Sequence, residues 1–277
     1  MTAQVIVFGA AGRMGQALLQ FHNKVDDVQV IAGVLRPDSE LVGEDASRLF
    51  GGACLSIPLV STLSQALIGL SDKIKPVVVE FSKPELTLEV ARWCLEQSIP
   101  LVSGTTGFTP DQLTTLREMS ATIPIVHSNN MSPGVTLCFD LVESLAKSLG
   151  ETVDVEIYEA HHRHKIDAPS GTALRLGEAV AQGWGVPFEE RAVFSRHGRT
   201  GVRKSGTIGF AVVRAGDIIG DHSVIFSAEG ERIEITHKST SRMHYAKGGL
   251  MAAGWLVTKR PGFYSMADVL APDNSLT

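Results

Sequence analysis

Five apolar runs in the first half of the chain restrict its fold more than any other feature. They are Gln4–Gly9 (QVIVFG), Val28–Leu35 (VQVIAGVL), Lys75–Ser82 (KPVVVEFS), Ile99–Gly104 (IPLVSG) and Ile123–Ser128 (IPIVHS). Each is continuous rather than alternating, so a strand built from it is buried on both faces. The stretches between them carry helical apolar spacing, as in RMGQALLQFH, ELTLEVARWCLEQS and DQLTTLREMSA. Strands alternating with helices imply βαβ units and a parallel sheet covered on both sides.

The pattern changes after NNMSPG. Pro133 suits the first turn of a helix, Leu137, Leu141, Leu145 and Leu149 recur every four residues, and Gly150 ends the stretch as a C-terminal cap. TVDVEIYEAHH then alternates apolar and polar residues, as a strand with one solvated face does. SGTIGFAVVRAG, DHSVIFSAEG and RIEITHKST follow as strands joined by glycine-containing turns. That run predicts a separate α+β domain with largely antiparallel pairing. Ser241–Val257 reverts to helical spacing. The expected class is α/β, a parallel-sheet domain plus a central α+β domain.

At 277 residues the chain has room for two domains. Its net charge of -5 gives no general attraction to nucleic acid or anionic lipid, so a small acidic ligand needs a local basic pocket. The three cysteines, Cys54, Cys94 and Cys138, are scattered and form no CxxC pair, which argues against a disulfide framework and a thiolate zinc site. The N-terminus lacks a signal-peptide pattern, and no apolar run approaches the ~20 residues of a membrane span. A cytoplasmic location is expected.

Gly9, Gly12 and Gly15 follow the first strand and open the first helix as GxxGxxG. A tight strand-to-helix turn needs small residues there, and so does a backbone that approaches a pyrophosphate on the amides of a helix N-terminus. Position at the start of a parallel region favours dinucleotide binding. At the end of the second strand an acidic side chain would accept from the ribose of NAD, whereas an arginine would meet the 2′-phosphate of NADP. Here Leu35 and Arg36 stand where that choice is made, and Asp38 lies further on, after Pro37.

The densest chemistry is in Glu159–Ala173, EAHHRHKIDAPSGTA, where His161, His162 and His164 stand beside Lys165. A metal site, a solvated basic loop and an anion-binding acid/base centre all suit such a stretch. Zinc requires neutral imidazoles converging at about 2.0–2.1 Å. Adjacent His161 and His162 diverge if the strand continues, and Lys165 adds repulsion, so no metal is expected. As an acid/base centre, lysine and imidazoles donate to carboxylates, and a histidine exchanges protons near neutral pH. PSGTAL reads as a helix start whose amides bind anions, and Asp167 is placed to hold Lys165 or a histidine.

Taken together, GAAGRMG (9–15), SGTTGF (103–108), EAHHRHKIDAPSGTA (159–173), RAGDIIGDH (214–222) and ITHKSTSR (235–242) resemble the 4-hydroxy-tetrahydrodipicolinate reductase family, in order and over nearly the whole chain. The resemblance implies a Rossmann-like cofactor domain, here 1–131 with 241–277, and a substrate-binding and oligomerisation domain, 132–240, in a homotetramer. It implies hydride transfer from NADH or NADPH to a cyclic dicarboxylate in diaminopimelate and lysine biosynthesis. His161 then resembles the general acid/base and Lys165 its paired proton donor. His162, Gly171 and Thr172, with Ser170 adjoining, resemble the cradle for a substrate carboxylate. The cofactor is expected along Gly9, Ala10, Ala11, Gly12, Arg13 and Met14, then Gly104, Thr105 and Thr106, and Ser128, Asn129, Asn130 and Met131. Phe81, Ser82 and Lys83 match a further cofactor stretch, with lysine where the family commonly has arginine. Leu35 departs from the family's acidic residue, so NADPH is expected to bind at least as well as NADH.

Other residues read as structural: Trp93, Trp184 and Trp255 as packing anchors, and His127 and His237 as strand residues. Glu159 is either a buried carboxylate facing the site or an ordinary strand residue, and Arg242 is left without a role. Two other functions compete. A different NAD(P)-dependent oxidoreductase would bring a catalytic cysteine or another lysine pattern, and a redox-sensing regulator would bring a basic DNA-facing surface.

Overall fold

The computed structural model describes residues 2–70 and 75–271. The chain divides into two compact units, Met1–Pro133 with Arg242–Thr277, and Gly134–Ser241. Of the expected cofactor domain, residues 1, 71–74 and 272–277 lie outside the described residues.

The first unit is a seven-stranded sheet of β1 (Ala3–Phe8), β2 (Val28–Val34), β3 (Leu59–Val60), β4 (Val77–Glu80), β5 (Leu101–Ser103), β6 (Pro124–His127) and β12 (Gly262–Tyr264). The order is β12-β6-β5-β4-β1-β2-β3 and every pairing is parallel. Continuous apolar strands bury alternate residues on opposite faces. Val5, Val7, Val77 and Val79 pack against α1 (Arg13–Gln20) and α7 (Met243–Leu256), whereas Ile6 and Val78 pack against α3 (Pro84–Gln97) and α4 (Pro110–Met119). Returning from the end of the chain, α7 lies on the first of these faces through Ala246, Leu250 and Ala253. Gly248 permits that approach, because a Cβ there would collide with the Met131 carbonyl. Two short helices, α2 (Leu63–Ala66) and α8 (Met266–Leu270), complete the unit. The sheet order reverses between β1 and β4, which makes their carboxyl ends the topological switch point where open α/β sheets bind ligands.

The second unit has five strands: β7 (Asp154–His161), β8 (Ala192–Val193), β9 (Ile208–Arg214), β10 (Gly220–Ala228) and β11 (Glu231–Ser239), in the order β11-β10-β7-β9-β8. The expectation of largely antiparallel pairing is only half met. The β10–β11 and β10–β7 pairs are antiparallel, but β7–β9 and β8–β9 are parallel. The cause is α6 (Gly171–Trp184), which carries the chain back so that β9 runs in the direction of β7. One face of this sheet packs Val155, Ile157, Val224 and Phe226 against Leu176 and Val180 of α6 and Val142 and Ala146 of α5 (Pro133–Leu149). Of the leucines that mark α5 in the sequence, Leu145 and Leu149 pack against this core, whereas Leu137 is 49% exposed and Leu141 57%.

Candidate active site

In the second unit the chemistry gathers at the end of β7. Strand alternation turns Glu159 and His161 toward the same face, and pairing puts His222 opposite Glu159 and Arg214 opposite His161. Glu159 is fully buried. One of its oxygens, Oε2, lies 2.6 Å from His161 Nδ1 and accepts from Arg214 Nη1 at 2.8 Å. The other, Oε1, accepts from Arg214 Nη2 at 2.8 Å and from the Ser170 amide at 3.0 Å. A single carboxylate thus ties the histidine, a two-pronged arginine and the start of α6 together, with every oxygen satisfied by charge-assisted bonds.

The chain leaves β7 at His161, so His162, Arg163, His164 and Lys165 form a loop rather than a continuing strand. Backbone bonds from Ala215 N to His161 O (2.9 Å) and Arg163 N to Gly216 O (3.2 Å) fasten this loop to the turn after β9. Lys165 Nζ pairs with Asp167 at 2.8 Å, one of the two partnerships the sequence leaves open for that acid. His162 is half-buried, 6.2 Å from the exposed ring of His164. Ser170 has a different task from the expected one: it is the N-cap of α6, its hydroxyl accepts from Ala173 N at 3.2 Å, and it also meets His222 Nε2 at 3.0 Å. Only 2% exposed, it presets the helix end rather than offering a hydroxyl outward. Gly171 and Thr172 form the first turn, with Gly171 exposed and open space where a Cβ would project.

Burial pushes the His161 pKa down, and Lys165 and Arg214 push the same way, against Glu159. At neutral pH the ring is therefore neutral, with Nδ1–H donated to Glu159 and Nε2 carrying the lone pair. Burial would raise the Glu159 pKa, but Arg214, His161 and the Ser170 amide outweigh it and keep the carboxylate ionised. His222 is forced down to about 3 by burial and the neighbouring His161, and it lines a cavity of about 10 Å³ with Cys138 and His237. That space suits about one water molecule.

In the first unit the expected cofactor residues gather at the carboxyl ends of the parallel strands. Gly9 has φ +71°, which lets the chain turn sharply out of β1. Gly15 lies so close that a Cβ on it would collide with Gly9 O and Ala10. Gly12 is the N-cap of α1 and offers no side-chain cap, leaving an open helix N-terminus with Ala11, Gly12 and Arg13 exposed. This turn fits a pyrophosphate.

Several neighbours have side chains occupied elsewhere. Ala10 and Met131 are buried in the core, and Thr105 is 3% exposed with its hydroxyl on Glu80 at 3.0 Å. Glu80, the last residue of β4, also accepts from Ser82 N (2.9 Å), Ser82 Oγ (2.6 Å) and Thr87 Oγ1 (2.9 Å). Phe81 packs against Gly104 and Gly249, and a Cβ at Gly104 would run into its ring. Lys83 is the N-cap of α3. Ser128 accepts from Met266 N at 2.7 Å, Asn130 accepts from Ser132 N at 2.9 Å, and Thr106 and Asn129 are exposed. Leu35 is buried, 5% exposed, whereas the Arg36 side chain is 86% exposed with only a loose 3.7 Å approach to Asp38.

Arg214 and His222 are the site residues that sequence reasoning missed. Both lie in RAGDIIGDH, but only the strand register shows that they meet Glu159 and His161. Among the weaker candidates, His127 is buried between Phe108 and Phe263, and Trp255 stacks edge-on with Tyr264 at 5.1 Å.

The chain matches the family description "Dihydrodipicolinate reductase, N-terminus" over residues 3–131 and "Dihydrodipicolinate reductase, C-terminus" over 134–270. A relative from Saccharophagus degradans, described as 4-hydroxy-tetrahydrodipicolinate reductase, is 45% identical over 98% of this chain and 99% of its own. Among solved structures, a dipicolinate-bound dihydrodipicolinate reductase from Paenisporosarcina sp. TG-14 aligns with a TM-score of 0.75 at 23% identity. It covers 98% of this chain and 100% of that one. An amine dehydrogenase from Mycobacterium smegmatis aligns with a TM-score of 0.57 at 11% identity, covering 96% of each chain.

Proposed function

The chain belongs to the dihydrodipicolinate reductase family, and on that premise we propose how its residues divide the work of the reaction. It reduces 4-hydroxy-tetrahydrodipicolinate, by way of dihydrodipicolinate, to tetrahydrodipicolinate with NADH or NADPH, in lysine and diaminopimelate biosynthesis. When bound, the reduced nicotinamide supplies the hydride. The residues suited to hold it are Gly9–Met14 on the phosphates, Arg36 at the adenosine end, and Phe81, Gly104–Thr106 and Ser128–Met131 along the strand ends. Where the side chains of Thr105 and Met131 are occupied, the contact falls to the backbone.

The relative from Paenisporosarcina holds dipicolinate, a planar dicarboxylate. A dicarboxylate suits the second unit here, where the first-turn amides of Gly171 and Thr172, the His162 ring and Lys165 offer donors. Its arrival changes His161. Two negative charges beside a neutral imidazole favour the imidazolium, so the ring becomes an acid as the substrate binds. Protonated His161 and Lys165 then stabilise the negative charge that hydride addition to one carbon drives into the conjugated system, and a proton passes to the neighbouring ring carbon that carries that charge. Asp167 keeps Lys165 in place.

The observation that carries this reading is the 2.6 Å contact of His161 with buried Glu159, next to a helix end capped from behind by Ser170. The test is NADPH and NADH oxidation with substrate made in place from pyruvate and aspartate semialdehyde by its synthase. His161→Ala and Lys165→Ala should each lower kcat/KM by about 10²–10⁴-fold while nucleotide binding stays intact. Full activity in either variant would overturn the assignment. With Leu35 buried and Arg36 exposed, NADPH should bind at least as well as NADH. A tenfold preference for NADH would contradict that.

A homotetramer is the assembly this family reading favours. The second unit carries exposed apolar residues suited to such contacts, among them Leu137, Leu141, Tyr158, Val212 and Ile233. Sedimentation of the purified protein checks it.

A further inference from the structure

We infer that Arg214 is a positioning residue for the proton step: through its two-nitrogen grip on Glu159 it holds the carboxylate against His161 Nδ1, fixes the tautomer that leaves Nε2 available, and balances the buried negative charge. The inference rests on the reduction proposed above for its catalytic meaning, but its physical content is independent of turnover.

Both terminal nitrogens of the guanidinium are engaged. Arg214 Nη1 and Nη2 each reach one Glu159 oxygen at 2.8 Å, and Nη2 also donates to the Asp167 carbonyl. The guanidinium therefore links Glu159 to the loop segment that carries Lys165. Arg214 stands directly opposite His161 in the β7–β9 pairing, so its position is set by strand register rather than by a flexible loop. On the other edge, β10 brings Gly220, where a Cβ would sit 3.1 Å from His161 Nε2. A larger residue there would crowd the atom that must exchange the proton. His161 is thus gripped at Nδ1 and left uncrowded at Nε2.

The charges facing His161 are Glu159 from its own strand, Lys165 from the following loop, Arg214 from β9 and His222 from β10, with Asp167 beyond Lys165 and Arg214, and His237 beyond His222. His222 is neutral across the working range, so Glu159 is the group that favours the imidazolium and Lys165 and Arg214 are those that oppose it. Without Arg214, the buried carboxylate would draw a proton onto His161 before substrate arrived. Without the carboxylate, Nδ1 would lose its acceptor and the ring its preferred tautomer, as happens when the acid of a Ser-His-Asp triad is changed to its amide.

Substitutions at the two residues should therefore act in opposite directions, which loss of packing alone cannot do. The experiment is histidine-selective ¹⁵N NMR of the full-length protein across pH, with the His161 signal assigned through His161→Gln, alongside NADPH oxidation. The wild type should show the Nδ1–H tautomer at neutral pH. In Arg214→Met the His161 titration midpoint should rise by about 1 pH unit or more. In Glu159→Gln it should fall, with the proton moved to Nε2 and kcat reduced about 10²–10⁴-fold. Arg214→Lys keeps the charge but loses the second prong, so the midpoint should stay near that of the wild type while kcat drops. It also keeps the test alive if the methionine variant does not fold.

Unchanged His161 titration and tautomer in an active Arg214→Met and an active Glu159→Gln would overturn the inference alone. A wild type that shows the stated tautomer and midpoint shifts but does not reduce the substrate would sustain it and overturn the proposed reaction instead.

Discussion

Two fully buried carboxylates, one in each unit, are satisfied in different ways. Glu80 in the first unit receives four neutral donors: one amide and three hydroxyls from Ser82, Thr87 and Thr105. Glu159 in the second receives a guanidinium, an imidazole and one amide. Neutral donors fix direction, so Glu80 ties the loops after β4 and β5 together beside the proposed cofactor residues. Charged partners also set protonation, so Glu159 biases the charge of the His161 ring, the group proposed above as the acid. The first carboxylate builds a shape, and the second builds an acid.

The largest expected difference follows from removing each carboxylate. Glu159→Leu strands Arg214 without its buried partner, and breaking a buried ion pair from one side costs about 3–5 kcal/mol. Urea unfolding should show that loss, with a lowered transition midpoint. A loss below about 1 kcal/mol would mean that water reaches the arginine and the network is not dry.

The histidines of the second unit give the next effect. His222 binds a proton near pH 6.5 when unfolded and only near 3 when folded, so the unfolded chain holds more protons between those values. Its contribution to stability is complete above pH 6.5 and is lost as pH falls toward 3, by about 1.4 kcal/mol per pH unit. His222→Gln should flatten that part of the stability–pH curve, and an unaltered curve would contradict the burial described here. Glu80→Gln should have the smallest effect on folding, about 1–3 kcal/mol, because an amide nitrogen must face hydroxyl donors. Its signature should be weaker NADPH binding measured by fluorescence titration, with the His161 titration unmoved. A shift in that titration would erase the contrast between the two carboxylates.

How much of this was legible in the sequence depended on which interactions carry it. The strands β1, β2, β4, β5 and β6 could be read because burial on both faces leaves an unbroken apolar run. The short β3 and β12 could not, since two or three residues carry no period. The α5 helix was legible from its leucine spacing, but its buried face was not, because apolar side chains also occupy its exposed side. The parallel β7–β9 pair escaped for a related reason: strand spacing does not say in which direction a strand is crossed. The same gap hid the site. His161, Lys165 and Asp167 stand within one short stretch, and their proximity is visible in the chain order. Arg214 and His222 reach Glu159 only through the register of β9 and β10 against β7, a long-range fact absent from local pattern. Ser170 was legible as part of a helix start, but not the inward turn of its hydroxyl onto Ala173 N and His222. Leu35 was legible as the apolar end of the second strand, and the structure buries it in the core.

The most direct test is the protonation state of His161 with and without dipicolinate, read by ¹⁵N NMR at neutral pH. The account predicts a neutral ring protonated at Nδ1 in the free protein and a ring protonated on both nitrogens when the dicarboxylate is bound. A ring already cationic in the free protein, or one left neutral by bound dicarboxylate, would contradict it.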